Sequence, residues 1–362
     1  MTMNPMFTTN RDRRRHQLLP TTSSLHEGGT IHTLPDLIQH LQWAIEVEHS
    51  TIPPYLYALY SIQEETNAFA YNIIRSVVLE EMLHMVQACN ILTAIGGTPV
   101  LNSPGFIPNY PSPLPKSSGQ FSVGLEKFKR HSIETFLKIE KPAVPHAKPQ
   151  GENYDTIGQF YEAVKIGLEV VDKNEGGIFK PQYSHKQVTP EQYYGSGGQI
   201  CPVYSLCDAL KAIHEIVGQG EGINHTIEDP DHALFGEEIE YAHYFRFNEI
   251  YNEHRYQEGQ SPDSEPMGKK VDVNWEAVHD MQDNPKMATY SQGSPIYDKM
   301  LDFNVTYMKL LDNIEKACNG QPDLLMKGIP LMYDLKYKAI ELMTIPDDNG
   351  KMVGPSFEYV KI

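Results

Sequence analysis

The sequence has few cysteines and no long hydrophobic run. Its four cysteines include no Cys-x-x-Cys pair, which argues against a disulfide scaffold or a zinc knuckle and favours a reducing, cytoplasmic environment. The basic cluster at residues 11–15 precedes no apolar run of signal length, so we expect neither secretion nor a membrane span. A glycine-rich phosphate loop and a serine or cysteine triad pattern are also missing, so the chemistry must be sought in other residue types.

Positive charge is scarce relative to negative charge. Lys and Arg number 30 against 47 Asp and Glu, which gives a net charge of −17. This imbalance argues against nucleic acid or an anionic membrane as a partner, and it favours the recruitment of cations. A chain of 362 residues, of which 40% are hydrophobic, can bury a large core as one elaborated domain or two small ones.

Two Glu-x-x-His pairs lie in stretches with helical periodicity, Glu81 with His84 and Glu240 with His243. At this spacing a carboxylate and an imidazole share one helix face. When two helices of a bundle each present such a pair and two others each add a glutamate, six donors converge on the bundle axis, as in di-iron and di-manganese carboxylate proteins. One pair alone is common on solvated helices, but two pairs, each with a helical glutamate upstream, favour a metal site.

The first upstream glutamate lies on a helix predicted over residues 35–60. Glu48 falls on the apolar face, where an unpaired carboxylate must either protonate or bind a cation. Tyr55 follows two turns later on the same stripe, so its phenol is predicted to point into the bundle near the metals. Glu46 and His49 form a third Glu-x-x-His pair, but Glu46 lies about 200° round the helix, toward the polar side, and Glu48 is preferred.

The separation of Glu48 from Glu81 suits two antiparallel helices, with the polar connection at residues 64–67 and the second helix over 75–95. Two consecutive prolines, at positions 53 and 54, are predicted to interrupt the first helix just after Glu48, because neither can donate an N–H. The sequence therefore predicts a helical hairpin that is kinked beside the metal site.

The second predicted hairpin spans residues 205–222 and 235–255. Its first helix offers two carboxylates, Glu215 and Glu221, which lie about 240° apart round the helix axis, so only one of them can face the metals. The glycines around Glu221 lower helix propensity, which indicates either the close approach of a ligand or the helix end. On the other helix, Arg246 is a candidate to pair with a carboxylate next to the ligands.

Four stretches together resemble a known family: Glu46–Ile62, Glu80–Met85, Gln219–Gly222 and Ala242–Phe247. They resemble the ferritin-like domain of iminophenylpyruvate dimer synthases, enzymes of the violacein and rebeccamycin pathways that oxidatively couple imines derived from aromatic amino acids. The likeness covers roughly residues 34–110 and 200–256, and its most specific part is the Ile-Pro-Pro-Tyr run that begins at Ile52. Pathway members have a much longer chain than these 362 residues, so the substrate does not follow from the fold.

The resemblance implies a fold and a set of ligands. The implied metal ligands are Glu48, Glu81, His84, Glu221, Glu240 and His243. Beside them, Tyr55 and Arg246 are predicted to have catalytic roles. The predicted fold is all-α, a ferritin-like four-helix bundle with a long central insertion and a C-terminal helical extension.

Three regions are expected along the chain. They are a flexible N-terminal arm at residues 1–30, a metal-binding bundle at 31–260 with its insertion at about 99–200, and a C-terminal helical extension at 261–362. The insertion is predicted to form the walls of a substrate pocket, with a structural lid or an oligomer interface as the alternative. Four aromatic residues of the insertion are the candidate pocket contacts: Tyr183, His185, Tyr193 and Tyr194.

The predicted function is that of a non-haem di-metal oxidase or oxygenase. Oxygen and nitrogen donors without a thiolate suit iron, with manganese as the alternative, and two ions are expected from the six-ligand template. The expected partners are O2 or peroxide and a small, amine- or imine-bearing, aromatic substrate, while a homo-oligomer stays open. An iron-binding ferroxidase without an organic substrate would use the same ligands and is the alternative function.

Overall fold

The computed structural model describes residues 31–194, 197–222, 225–231 and 240–362. The predicted N-terminal arm, residues 1–30, lies outside these ranges. Within them the regular structure is helical and the only β-pairing consists of isolated bridges, so the prediction of an all-α fold is confirmed. Of the helices in this part of the chain, none is long and apolar enough to cross a membrane.

Eight α-helices lie wholly within the described residues. They are α1 (Leu34–Ser61), α2 (Ala68–Ala94), α3 (Arg130–Ile139), α4 (Ile157–Asn174), α5 (Leu206–Glu221), α6 (His243–Asn252), α7 (Pro295–Cys318) and α8 (Leu324–Met343), and two 3₁₀ helices occur at Pro181–Lys186 and Met287–Thr289.

The first hairpin consists of α1 and α2, which pack along their lengths. The side chain of Thr33 caps α1 by accepting a hydrogen bond from the backbone N–H of Asp36. Helix α2 begins at Ala68, seven residues before the predicted start. The preceding Asn67 exchanges hydrogen bonds of 2.8 Å with the backbone N–H and C=O of Asn274. A contact with a residue 207 positions later in the sequence therefore fixes the start of α2, and local periodicity cannot show such a contact.

Helix α1 continues through Pro53 and Pro54, so the predicted interruption is wrong. A proline at position 54 leaves the carbonyl oxygen of Ser50 without its helical donor. The hydroxyl of Tyr110 donates a hydrogen bond of 2.8 Å to that oxygen and replaces the missing N–H. Because both prolines are also buried, packing and this one bond keep the helix whole.

The bundle consists of α1, α2, α5 and α6, and the insertion adds two helices to it. Helix α4 packs against both α1 and α5, while α3 packs against α6 and α1. The insertion therefore contributes to the interior of the bundle as well as covering it. Helix α5 matches its prediction closely: Ser205 caps its start and Gly222, with a φ of 90°, follows its end.

Helix α6 begins at His243, although the sequence predicted a helix from residue 235. Residues 232–239 lie outside the described residues. Glu240 and Ala242 are extended instead, because the C=O of Glu240 accepts from the N–H of Asp229 at 3.0 Å and the N–H of Ala242 donates to Ile227 at 2.9 Å. The prediction that Glu240 and His243 share a helix face is therefore wrong.

The C-terminal extension places α7 and α8 side by side against the first hairpin. Helix α7 contacts α2, and α8 contacts both α7 and α1. One hydrophobic cluster includes Leu41 of α1, Cys89 of α2, Phe160 of α4, Met308 of α7 and Leu335 of α8. The extension thus shares its core with the bundle.

We predict that Tyr110→Phe destabilises the protein by about 1–3 kcal/mol, because the buried carbonyl of Ser50 would lose the hydroxyl that replaces its helical donor. The midpoint of urea unfolding, followed by circular dichroism, measures this loss. Tyr333→Phe is the matched control, since Tyr333 is 63% exposed. Equal midpoints for the two variants would show that the Tyr110 bond does not compensate for the proline.

Candidate metal centre

Five buried side chains form two groups of potential metal donors that share one member. Glu48, Glu81 and His84 form the first group, and Glu81, Glu140 and His243 form the second. Within each group the donor atoms lie within 4.8 Å of one another. Because Glu81 belongs to both, the arrangement is compatible with two neighbouring metal ions joined by one carboxylate.

Four helices position these donors. Glu48 lies in the middle of α1, and Glu81 and His84 lie one turn apart on α2. Glu140 is the C-cap residue of α3, and His243 is the first residue of α6. The packing of α3 on α6 and α1 therefore brings a residue of the insertion to the centre of the bundle.

The two imidazoles face the carboxylates through their Nδ1 atoms. His84 Nδ1 lies 3.4 Å from Glu48 Oε2. His243 Nδ1 lies 3.0 Å from Glu81 Oε1 and 3.4 Å from Glu140 Oε2. Despite these short distances, the buried His243 Nδ1 makes no hydrogen bond. A buried nitrogen that faces two carboxylate oxygens without a hydrogen bond fits a shared metal ion.

The other ring nitrogen of each histidine has an acceptor that fixes the tautomer. Nε2 of His84 lies 2.5 Å from Oε1 of Gln219, whose amide nitrogen donates in turn to Asp231 at 2.9 Å. Nε2 of His243 lies 2.8 Å from Oε2 of Glu80. Both Nε2 atoms therefore carry the proton, which leaves the Nδ1 lone pairs available to a metal.

One oxygen of each clustered carboxylate accepts a hydrogen bond from a hydroxyl group. Tyr161 donates to Glu48 Oε1 at 2.5 Å and Tyr55 donates to Glu140 Oε1 at 2.5 Å. Glu81 Oε2 accepts from the hydroxyl of Thr51 at 2.8 Å. The second oxygen of each carboxylate is the one that faces a histidine Nδ1. These outer bonds orient the carboxylates toward a common centre.

Arg246 lies outside the donor groups and binds Glu80. Its guanidinium contacts both carboxylate oxygens of Glu80, with Nη1 2.8 Å from Oε1. Burial disfavours the charged carboxylate, but Arg246 and His243 outweigh burial and lower the pKa of Glu80 to about 2. Glu80 therefore stays ionised beside His243, and Arg246 acts on the centre through that pair.

The clustered carboxylates raise the proton affinity of the centre when no cation compensates them. Burial and the neighbouring Glu140 raise the pKa of Glu81 to about 7. Burial opposes protonation of His84, yet the adjacent Glu48 and Glu81 raise the pKa of His84 to about 9. A bound metal would replace these protons, so its binding would release protons to solvent.

The structure brings together four of the six ligands expected from the sequence, Glu48, Glu81, His84 and His243. Glu221 lines the same cavity, but its two oxygens accept hydrogen bonds from the N–H groups of Gly158 and Ala143 at 2.8 and 3.0 Å. The side chain of Glu240 is 57% exposed, and its Oε2 lies 3.5 Å from Nη1 of Arg246. Glu240 lies outside both donor groups because the chain is extended there.

The alternatives that the sequence left open lie outside the donor groups. Glu46 is only partly buried, and His49 lies 2.5 Å from the hydroxyl of Tyr307 in the extension. Glu215 faces Cys201, whose Sγ lies 3.8 Å from Oε2. Of the two candidates on α5, Glu221 is the one that lines the cavity, and its predicted role as a ligand stays a prediction.

The residues that the sequence missed come mainly from the insertion. Glu140 caps the end of α3 and Tyr161 lies on α4, two helices of the insertion. A glutamate at the end of an amphipathic helix gives no local signal of a metal site, because its role depends on where α3 packs. None of the four predicted pocket residues, Tyr183, His185, Tyr193 and Tyr194, lines the donor cavity.

The comparisons with known proteins agree with this architecture. The Ferritin-like family matches residues 41–252, and the chain belongs to that family. It is 24% identical over 404 aligned positions to dichlorochromopyrrolate synthase from Lentzea aerocolonigenes, a match that covers 93% of this chain and 37% of the relative. The chain thus spans little more than a third of that relative's length.

Similarity to a solved structure extends over most of the chain. A crystal structure of a ferritin-like protein from Caulobacter vibrioides matches with a TM-score of 0.62 and 23% identity, covering 90% of this chain and 99% of that chain. The predicted ferritin-like fold and the resemblance to the ferritin-like domain of the imine-coupling synthases are therefore confirmed.

We predict that the iron-loaded protein holds about two ions per chain and that Glu81→Gln holds well under one, because the shared carboxylate would lose its charge. Glu140→Gln should lower the metal content as well. Elemental analysis measures the content, and circular dichroism checks that helicity is retained. Glu240→Gln is the matched control and should keep both ions. Loss of metal in Glu240→Gln, with full loading of Glu140→Gln, would reverse the assignment of these two residues.

Proposed function

We propose that the protein is a non-haem di-iron oxidase or oxygenase that uses O2 or peroxide on a small organic substrate. The observation that supports this proposal most directly is that the buried Glu81 belongs to both groups of potential metal donors, each of which consists of two glutamates and one histidine. Such donors without a thiolate suit iron, with manganese as the alternative. When bound, the two metal ions would supply the electrons that reduce O2 or peroxide.

The substrate proposal rests on similarity. Dichlorochromopyrrolate synthase is the name of a relative to which 93% of this chain aligns. The similarity to this relative, together with the motifs that resemble the imine-coupling synthases, supports an amine- or imine-bearing, aromatic substrate. A reducing, cytoplasmic environment is part of the same proposal, and the four free cysteines are consistent with it.

The chain's own residues would hold the ions, orient the ligands and exclude water. The donor cavity has a volume of about 20 Å³, which is room for about one water molecule. Burial and the negative charge of Glu140 raise the pKa of Tyr55 well above its ordinary value, so this phenol stays protonated and keeps donating to Glu140. Arg246 keeps Glu80 ionised, which holds the Nε2–H of His243 in place. We propose these positioning roles for Tyr55 and Arg246.

We predict that the iron-loaded protein consumes O2 faster when an aromatic amino acid or its imine is added. An oxygen electrode measures uptake with a panel of such compounds, each compared with iron-loaded protein alone. Glu81→Gln should lose the substrate-dependent uptake because it loses the shared ligand. Uptake that depends on Fe(II) and ignores every organic compound would support a ferroxidase instead. No uptake in either condition by protein that contains two ions would contradict both functions.

A further inference from the structure

A groove lies beside the donor cavity and is separated from it by a narrow neck. The cavity has a volume of about 20 Å³, whereas the groove has a volume of about 1320 Å³. Three residues line both spaces, Gly158 at the start of α4 and Val217 and Glu221 on α5. We call these three residues the neck. An aromatic molecule fits the groove and not the cavity.

Glu221 fills the neck, and backbone groups hold it there. Its Oε1 accepts from the N–H of Gly158 at 2.8 Å, and its Oε2 accepts from the N–H of Ala143 at 3.0 Å. A Cβ atom at position 158 would lie 2.4 Å from Oε1, so the carboxylate can occupy this place only because residue 158 is glycine. The N-terminus of α4 also favours a negative charge at this point.

The bonds of Glu221 distinguish it from the clustered carboxylates. In Glu48, Glu81 and Glu140, one carboxylate oxygen accepts a hydrogen bond from a hydroxyl group and the other oxygen faces a histidine. Both oxygens of Glu221 are instead satisfied by the backbone at the boundary of the cavity. The side chain is thus placed to close the cavity and is not directed at the donor groups.

The wall of the groove contains three lysines, Lys141, Lys148 and Lys165, and three carboxylates, Glu162, Glu221 and Asp263. Among the described residues, no acidic group lies within ion-pair distance of Lys141 or Lys148, whereas the groove residue Lys165 pairs with Glu162 at 3.0 Å. This stands out in a chain with a net charge of −17. Tyr244 adds an aromatic ring to the same wall. Lys141 and Lys148, which pair with none of the described carboxylates, and the ring of Tyr244 can therefore contact an aromatic ligand with a negative charge.

We propose that the groove binds the organic substrate as an anion and that Glu221 is the gate between the groove and the metal centre. This inference rests on the proposed function, because it assumes that the donor cavity holds the metal ions. Glu221 is then a positioning residue that controls access, and not one of the ligands that the sequence predicted. The metal centre opens to the groove when Glu221 leaves the two N–H groups.

The gate is tested by the rate at which 2,2′-bipyridine removes Fe(II) from the loaded protein. Glu221→Ala and Val217→Ala both widen the neck and should retain about two ions, but they should lose iron about tenfold faster than the wild type. Glu221→Gln fills the same volume, so its rate should stay close to that of the wild type. The absorbance of the iron–bipyridine complex gives the rate, and elemental analysis gives the initial content.

Two results would overturn the gate. Equal rates in Glu221→Ala, Val217→Ala and the wild type would mean that the neck does not control access. Loss of iron on loading in both Glu221→Ala and Glu221→Gln, with Val217→Ala fully loaded, would make Glu221 a ligand. The proposed function fails separately, if the wild type itself takes up no stoichiometric metal.

The groove is tested without metal, by calorimetric titration of the metal-free protein with 3-phenylpropanoate and with its neutral amide. The wild type should bind the anion more tightly than the amide. The double variant Lys141→Gln/Lys148→Gln should bind the anion roughly fivefold to tenfold more weakly, the loss expected from two partly exposed ion pairs. Lys309→Gln/Lys327→Gln changes the net charge equally outside the groove and should bind as the wild type does. Equal binding by both double variants would overturn the anion site.

Discussion

The structure depends on the burial of three carboxylates, Glu48, Glu81 and Glu140, in one small cavity. Buried carboxylates repel one another and lose their hydration, so each must find hydrogen bonds and positive charge inside the protein. Hydroxyl groups satisfy the outer oxygens, and the inner oxygens face two imidazoles. A pair of divalent ions would neutralise the remaining negative charge. The free-energy cost of burying three carboxylates explains why so many surrounding residues form hydrogen bonds to them.

The insertion contributes residues to the carboxylate cluster and to its hydrogen bonds. Glu140 comes from the end of α3, and Tyr161, which binds Glu48, comes from α4. Both helices pack against α1, and through α6 and α5 they also contact the second half of the bundle. A four-helix bundle without them would lack one donor and one of the bonds that orient Glu48. Helix α4 and the chain between α3 and α4 also line the groove, and Gly158 of α4 belongs to the neck.

Local periodicity was enough to predict the bounds of α1 and α5 closely. It also placed Glu48 on α1, and Glu81 and His84 one turn apart on α2, because each of these positions is set by the spacing within a single helix. It failed where a distant segment decides the outcome. Tyr110 supplies the bond that lets α1 pass through its prolines. Ile227 pairs with Ala242 and keeps Glu240 out of a helix. The role of Glu140 depends on the packing of α3, and one sequence contains no measure of that packing.

The three glutamates that differ in role share almost the same local sequence signal, since Glu140, Glu221 and Glu240 all lie close to a helix end. What separates them is the partner that each carboxylate finds. Glu140 receives one hydroxyl bond and faces a histidine, Glu221 receives two backbone N–H bonds, and Glu240 lies near an arginine and is mostly exposed. A carboxylate with one oxygen left facing an imidazole is suited to bind metal, whereas one whose oxygens are both held by the backbone is suited to close a passage. The count of glutamates on helices therefore predicts that a metal site exists, and the partners of each oxygen decide which glutamates belong to it.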